Sequence, residues 1–410
     1  MPDMSRYSSA PVFASPLRKT PIEIDRPSIP NLEDYDIHPI YGFLPADPPP
    51  LERLPAYFEP WEKTLDNLSQ LLLAGRLRKH VQELPLLDHS ELASVREWQR
   101  AYLVLSFIAH GYVWGKNDNA AHVLPMPIAR PWYIVAGQLG LKPIISYAAV
   151  ELYNYKLLDP NGPADLSNLA VMHTFTGMDE AWFYLISLAT EAAGARALPA
   201  ILEAMHAVVR SDLKTLKSQL DIVCDVIEEI TRLLLRMYEK NDPHIFYHRV
   251  RPYVAGWENS EELHNGLFYE GVLPDMGEST KSAQCIKNAH LNNVQHYPVQ
   301  KSVEDLKGLA ADSTRGTWRK YAGASAGQSS LIHCLDVAMG IEHWPTRSAH
   351  SSGEGSNGAQ PSTPPNGNGF TNGHPHAGKR DSVTGPVNGT LNDTETAEYI
   401  NSSTSTDIHE

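Results

Sequence analysis

Between Ser211 and Lys240 the residues Leu213, Leu216, Leu220, Val223, Ile227, Ile230, Leu234 and Met237 recur in alternating steps of three and four. That period belongs to a helix that buries one stripe and wets the rest. A single helix is therefore predicted here, with Ser211 as its N-cap, Arg232, Arg236 and Lys240 near its C-terminus, and the role of spine in a helical bundle. A second long helix is predicted from about Asp179 to Val208. A third is predicted to start with Asp242 as N-cap and Pro243 at the first helical position, and to bend at Pro252. Another amphipathic pattern, ELASVREWQRAYLVLSFIAHGYVW, ends at Trp114, and PMPIARP at 125–131 punctuates the join to a further helix over 144–157.

Composition sets the bounds. The 410 residues are 42% hydrophobic, enough for a buried core. Lys plus Arg number 34 against 48 Asp plus Glu, a formal charge of −14 with no basic stripe, which argues against nucleic acid as a partner. Three cysteines, Cys224, Cys285 and Cys334, match neither a disulfide framework nor a zinc site, so a reducing, cytoplasmic setting is expected. No signal-peptide pattern opens the chain, and its most apolar stretch, 134–153, is broken by Lys142 and Pro143, so no membrane span is expected. Polar stretches at 273–316 and from about Thr346 to Glu410 interrupt the pattern. The first reads as a surface insertion and the second as a disordered tail, poor in aromatics and rich in Ser, Gly, Asn and Pro. The expected organisation is a disordered or extended arm over 1–34, a small helical domain over 35–140, a larger helical domain over 141–345, and the tail.

The chain has no HExxH, CxxC, GxSxG or phosphate loop. Three segments combine aromatic, small polar and basic residues. In WFYLISL, Phe183 and Ser187 are four apart and share a helix face; in HIFYHRVRPYVAGW, Tyr247, Arg251 and Val254 share one; YAGASAGQSS permits close backbone approach to a ligand. Taken singly, Phe183 and Ser187 read first as ordinary core packing and Arg251 as a surface or ion-paired residue, while the small-residue run reads equally as a plain loop or a ligand contact.

Taken in order with GYVWGK at 111–116, SYAAVELYNY at 146–155, GLFYEGV at 266–272 and YAGASAGQSSLIHCLDVAMGIEH at 321–343, these segments resemble the indoleamine 2,3-dioxygenases of fungal type. The resemblance implies a mainly α fold, a small N-terminal helical domain and a larger helical bundle that binds haem b. It implies a reaction in which dioxygen adds across the indole C2–C3 bond of L-tryptophan to give N-formylkynurenine, and a monomer is expected. Carried over position by position, Tyr147, Val150, Phe183 and Ser187 would line the distal indole pocket, with Ser187 near the oxygen. Phe246 would pack on the substrate and Arg251 would pair with its carboxylate. Ala324, Ser325 and Ala326 would form a loop over the pocket that meets the amino group and a haem propionate.

In the family, the proximal iron ligand is a histidine on a helix well beyond the GxSAGQSS segment. No match to that helix follows His343, so the resemblance leaves the iron ligand unassigned and implies a haem domain lacking its last helices. For residues 1–410 alone the expectation is weak haem binding and no turnover. Two rival readings stay open: an inactive relative that does not hold haem properly, and a helical interaction scaffold in which Arg251 and the Ser325 loop do not converge.

Overall fold

The computed structural model describes residues 28–45, 49–115, 119–273 and 316–343. The insertion and the tail expected from the sequence lie outside the described residues. Helices dominate: α1 (Glu59–Asp66), α2 (Leu68–Leu73), α3 (Leu77–Gln82), α4 (Val95–Trp114) and α5 (Met126–Gln138) come first, followed by α6 (Met178–Gly194), α7 (Ala197–Arg210) and α8 (Leu213–Leu235). Two short helices, α9 (Pro243–Ile245) and α10 (Arg251–Val254), flank a π-helical turn over Phe246–Val250, and α11 (Ser330–Ala338) follows the small-residue loop.

The central helix is α4, not α8. Ser94 caps it by accepting from the Glu97 N–H, and the Glu97 carboxylate in turn accepts from the Ala93 N–H. From Ala101 to Val113 every residue is buried, so α4 is surrounded on all sides. On α8 only Val223, Val226 and Ile230 are buried, while Leu213 is 77% exposed and Leu220, Leu234 and Leu235 also face outward. The spine role expected for α8 is thus corrected: its apolar stripe is real, but Leu213, Leu220 and Leu234, three of its eight residues, are exposed. Its cap is corrected too. Asp212 accepts from the Thr215 N–H, and Ser211 instead ends α7 in a left-handed conformation.

The single helix expected over 179–208 is two. Pro199 lacks an N–H, and its ring would collide with the carbonyl of Ala195 in a continuous helix, so the chain breaks at Ala195–Arg196. The stretch Met178–Arg210 is long and apolar enough to cross a membrane, but more than half of its apolar window is buried inside the protein, as in a core helix. The start of α9 agrees with the sequence: the Asp242 carboxylate accepts from the His244 and Ile245 N–H groups.

Two small sheets were not anticipated. β1 (Val123–Leu124) runs parallel to β4 (Leu267–Glu270), which pairs antiparallel with β5 (Gly316–Arg319), and β2 (Tyr155–Leu157) pairs antiparallel with β3 (Leu169–Val171). Pairs this short carry too little alternation to be read from sequence. One apolar core runs from Leu54 through α4 and α5 to Tyr269 and Tyr321, on both sides of the domain join expected near residue 140. Further on in space, Leu32, Ile37 and Phe43 pack against the core of α7, α8 and α11. Of the cysteines, Cys224 and Cys334 are free, and Cys285 lies outside the described residues.

Candidate functional site

Two π-turns shape the site. The first, Ala148–Leu152, is closed by the Tyr153 N–H donating to the Ala148 carbonyl, and it carries Tyr147 and Val150 into the interior, where both are buried. The second, Phe246–Val250, is closed by the Arg251 N–H donating to the Phe246 carbonyl. A bond spanning five residues widens the turn and brings the Arg251 backbone one turn above Phe246, and Pro252 follows at the start of α10. Such turns are frequent at functional sites.

Phe246 reaches α6. Its ring lies 4.6 Å from that of Phe183 between centroids, tilted by 39°. One turn along α6, the Ser187 hydroxyl donates to the Phe183 carbonyl at 3.2 Å, and both residues are half-buried. Arg251 is exposed, its guanidinium lies 5.2 Å from the Tyr247 ring centroid, and among the described residues it forms no ion pair. Val254, at the end of α10, accepts from the Ala324 N–H at 3.1 Å, which joins this helix to the loop. The join is tight because Gly256 and Gly323 face each other backbone to backbone. A Cβ on Gly323 would lie 2.1 Å from the Val254 oxygen, and one on Gly256 would lie 2.3 Å from the Gly323 nitrogen. Ala324 is half-buried, whereas Ser325 and Ala326 are exposed; the Ser325 hydroxyl accepts from the Gly327 N–H.

Thus Phe183 packs on Phe246, Ser187 lies one turn along from Phe183, the Arg251 backbone is bonded to Phe246, and Ala324 is bonded to the end of the same helix. Tyr147 is tied to α6 through two carboxyls that sequence reasoning missed. The Tyr147 hydroxyl donates to Glu191 at 2.8 Å, and Glu151 interacts with both Tyr147 and Ser187. Burial raises the pKa of Glu191, against the opposing effect of its Ser329 and Tyr147 hydrogen bonds. Burial raises that of Glu151 well above the usual carboxylate range, and the nearby Glu191 adds to it. Burial, followed by the two glutamates, likewise pushes the Tyr147 hydroxyl up, so it stays a hydrogen-bond donor. A signal for Glu191 was available: 183, 187 and 191 follow at four-residue steps on one helix face.

His110 braces both walls from α4. Its Nδ1–H donates to the Tyr253 carbonyl at 2.8 Å and its Nε2 accepts from the Ile145 N–H at 2.9 Å, which fixes the neutral tautomer. Burial, opposed by the Tyr253 carbonyl, pushes its pKa down to about 3. Between pH 6.5 and about 3 the unfolded chain therefore binds a proton here that the folded chain refuses. This contribution to stability is complete above pH 6.5 and falls away as the pH drops, by up to about 1.4 kcal/mol per pH unit. His110→Gln can keep one donor and one acceptor without titrating. Urea unfolding at pH 6.5, 5.5 and 4.5 should show the wild type losing stability relative to this variant, the raised glutamates being common to both. Parallel pH curves would remove His110 from the account.

The family model described as indoleamine 2,3-dioxygenase matches residues 31–373. The chain belongs to the indoleamine 2,3-dioxygenase family. It is 35% identical to indoleamine 2,3-dioxygenase 1 of Rattus norvegicus over 314 residues, which cover 76% of this chain and 66% of the relative. It is 34% identical to indoleamine 2,3-dioxygenase nanC of Aspergillus nanangensis, over 79% of this chain and 70% of that protein. It is 33% identical to indoleamine 2,3-dioxygenase of Saccharomyces cerevisiae, over 79% and 64%. The chain spans about two thirds of the length of these relatives.

The residues of this indoleamine 2,3-dioxygenase family member suit one face of a haem. They offer an aromatic pair with the Ser187 hydroxyl one turn away, the exposed Arg251 guanidinium on the Tyr247 ring, and the exposed Ser325 hydroxyl on the adjoining loop. No histidine stands among them, and no axial ligand is assigned. Among the described residues, no group of three or more His, Cys, Asp or Glu side chains could hold a free metal ion.

Proposed function

We propose that this chain supplies the substrate-facing wall of a haem dioxygenase that opens the indole ring of L-tryptophan to N-formylkynurenine. The observation that carries the reading is the second π-turn, which bonds the backbone N–H of Arg251, a side chain with no ion pair among the described residues, to the carbonyl of Phe246, whose ring packs on Phe183. An indole needs an apolar aromatic slot; an amino-acid carboxylate needs a planar, permanently charged fork at the slot's edge. Haem, when bound, supplies the redox chemistry by which dioxygen adds across the indole C2–C3 bond.

The chain's own residues do the rest. Phe183 and Phe246 hold the indole plane and exclude water, and Tyr147 and Val150 close the wall behind them. Ser187, whose hydroxyl already has an acceptor in the Phe183 carbonyl, presents a small polar group beside the reacting ring without itself needing to titrate. Arg251 fixes the carboxylate, and Ser325 on the loop meets the amino group and a haem propionate, the roles that the family resemblance gives them. The membership of the family and the names of the relatives support this reading.

The test joins residues 1–343 to the part of the Saccharomyces cerevisiae relative that the chain does not cover. Loaded with haemin and supplied with a reductant, the chimera should convert L-tryptophan to N-formylkynurenine, followed by ultraviolet absorbance. A chimera that binds haem stoichiometrically and forms no tryptophan-dependent product would overturn the assignment.

A further inference from the structure

The loop that borders the site is fastened at both ends, and the two fastenings differ. At its start, the Gly256–Gly323 contact and the bond from the Ala324 N–H to the Val254 carbonyl dock it on the Arg251 helix. At its end, one carboxyl does the work. Glu191 Oε1 accepts from the Ser329 hydroxyl at 2.6 Å and from the Tyr147 hydroxyl at 2.8 Å. Glu191 is 2% exposed, and its second oxygen has no partner. Ser329 is at the same time the N-cap of α11, accepting from the Ile332 N–H. Losing Glu191 would therefore orphan two buried hydroxyls at once, one on the pocket wall and one on the loop.

The geometry around this carboxyl serves the same end. Gly194 lies three residues beyond Glu191 on α6, and a Cβ there would come within 2.1 Å of Leu331, so the missing side chain lets α11 settle directly on α6. Gln328 adds a second strand to the tie. Its Oε1 accepts from the Tyr147 N–H at 2.9 Å while its Nε2 donates to the Gly323 carbonyl at 3.2 Å. Tyr147 is thus bound to the loop twice, through its hydroxyl by way of Glu191 and through its backbone by way of Gln328.

We propose that Glu191 is a positioning residue that latches the Ala324–Ser329 loop to the Tyr147 wall, so that the loop and the first π-turn hold one fixed spacing across the site. What the loop closes over rests on the proposed function; the latch itself does not, and it can be read without haem. Hydrogen–deuterium exchange on the full chain reports it directly, through peptides covering Tyr147 and residues 322–333.

Glu191→Leu, which keeps bulk but removes the acceptor, should speed exchange of the loop at least about tenfold while α4 stays protected. Glu191→Gln keeps an acceptor oxygen and should restore exchange to within a few-fold of wild type. Loop exchange within twofold of wild type in a folded Glu191→Leu protein would overturn the latch, as would a Gln variant that exchanges as fast as the Leu variant. Should Glu191→Leu fail to fold, Ser329→Ala and Tyr147→Phe carry the same question one hydrogen bond at a time. Each should loosen the loop severalfold, and an unchanged loop in both would refute the proposal. If instead the chimera described above makes no product while these exchange results hold, the function falls and the latch stands.

Discussion

Glu62→Leu should cost about 3–5 kcal/mol of stability, the range for removing one partner of a buried ion pair. Glu62 is 0% exposed and Arg100 2%. Arg100 grips the carboxylate with Nε at 2.9 Å and Nη2 at 2.7 Å, and the Leu54 N–H donates to the same group at 2.8 Å. The pair joins α1 to the central helix α4, so the truncation leaves a guanidinium and a backbone donor in the core without an acceptor. The double variant Glu62→Leu/Arg100→Met removes both charges and should recover most of the loss, because two apolar side chains of similar size demand no partner. Urea unfolding of the three proteins measures this. A single-variant loss below about 1 kcal/mol, or a double variant no better than the single, would contradict the role given to this pair.

How much of this was legible in the sequence varies by element, for physical reasons. The helix at Asp242–Pro243 was legible because a capping carboxylate followed by proline has one low-energy use. The stripe on α8 was legible as periodicity, but periodicity reports only that a face is apolar and cannot say whether a neighbour covers it, so the spine was misplaced from α4 to α8. The break at Ala195 was signalled by Pro199 and overridden by the strong pattern on either side.

The site was reached largely through family resemblance, because its pieces are singly unremarkable. What no spacing rule supplied was the extra residue in each π-turn. Helical arithmetic put Arg251 with Tyr247, and the guanidinium does lie over that ring; what it missed is the wide turn, which bonds the Arg251 N–H to the Phe246 carbonyl. Glu151 and Glu191 were passed over for a related reason. A glutamate on an apolar helix face looks like an exception to burial until its partners, here hydroxyls from segments 44 and 138 residues away from Glu191, are known.

The central claim is that separate segments of the chain form one wall for a tryptophan, with Arg251 at its edge for the carboxylate. Comparing L-tryptophan with tryptamine, which has the same indole and amine but no carboxylate, tests it most directly. A charge-assisted pair with Arg251 is worth about 1.5–3 kcal/mol, or roughly a 10- to 150-fold effect on kcat/KM. In the haem-loaded chimera, Arg251→Ala should lower kcat/KM for L-tryptophan by that factor, leave haem binding unchanged, and leave whatever small rate tryptamine shows unaltered. The same preference for L-tryptophan over tryptamine in wild type and variant would contradict the account, because the Arg251 guanidinium would then not be reading the carboxylate at all.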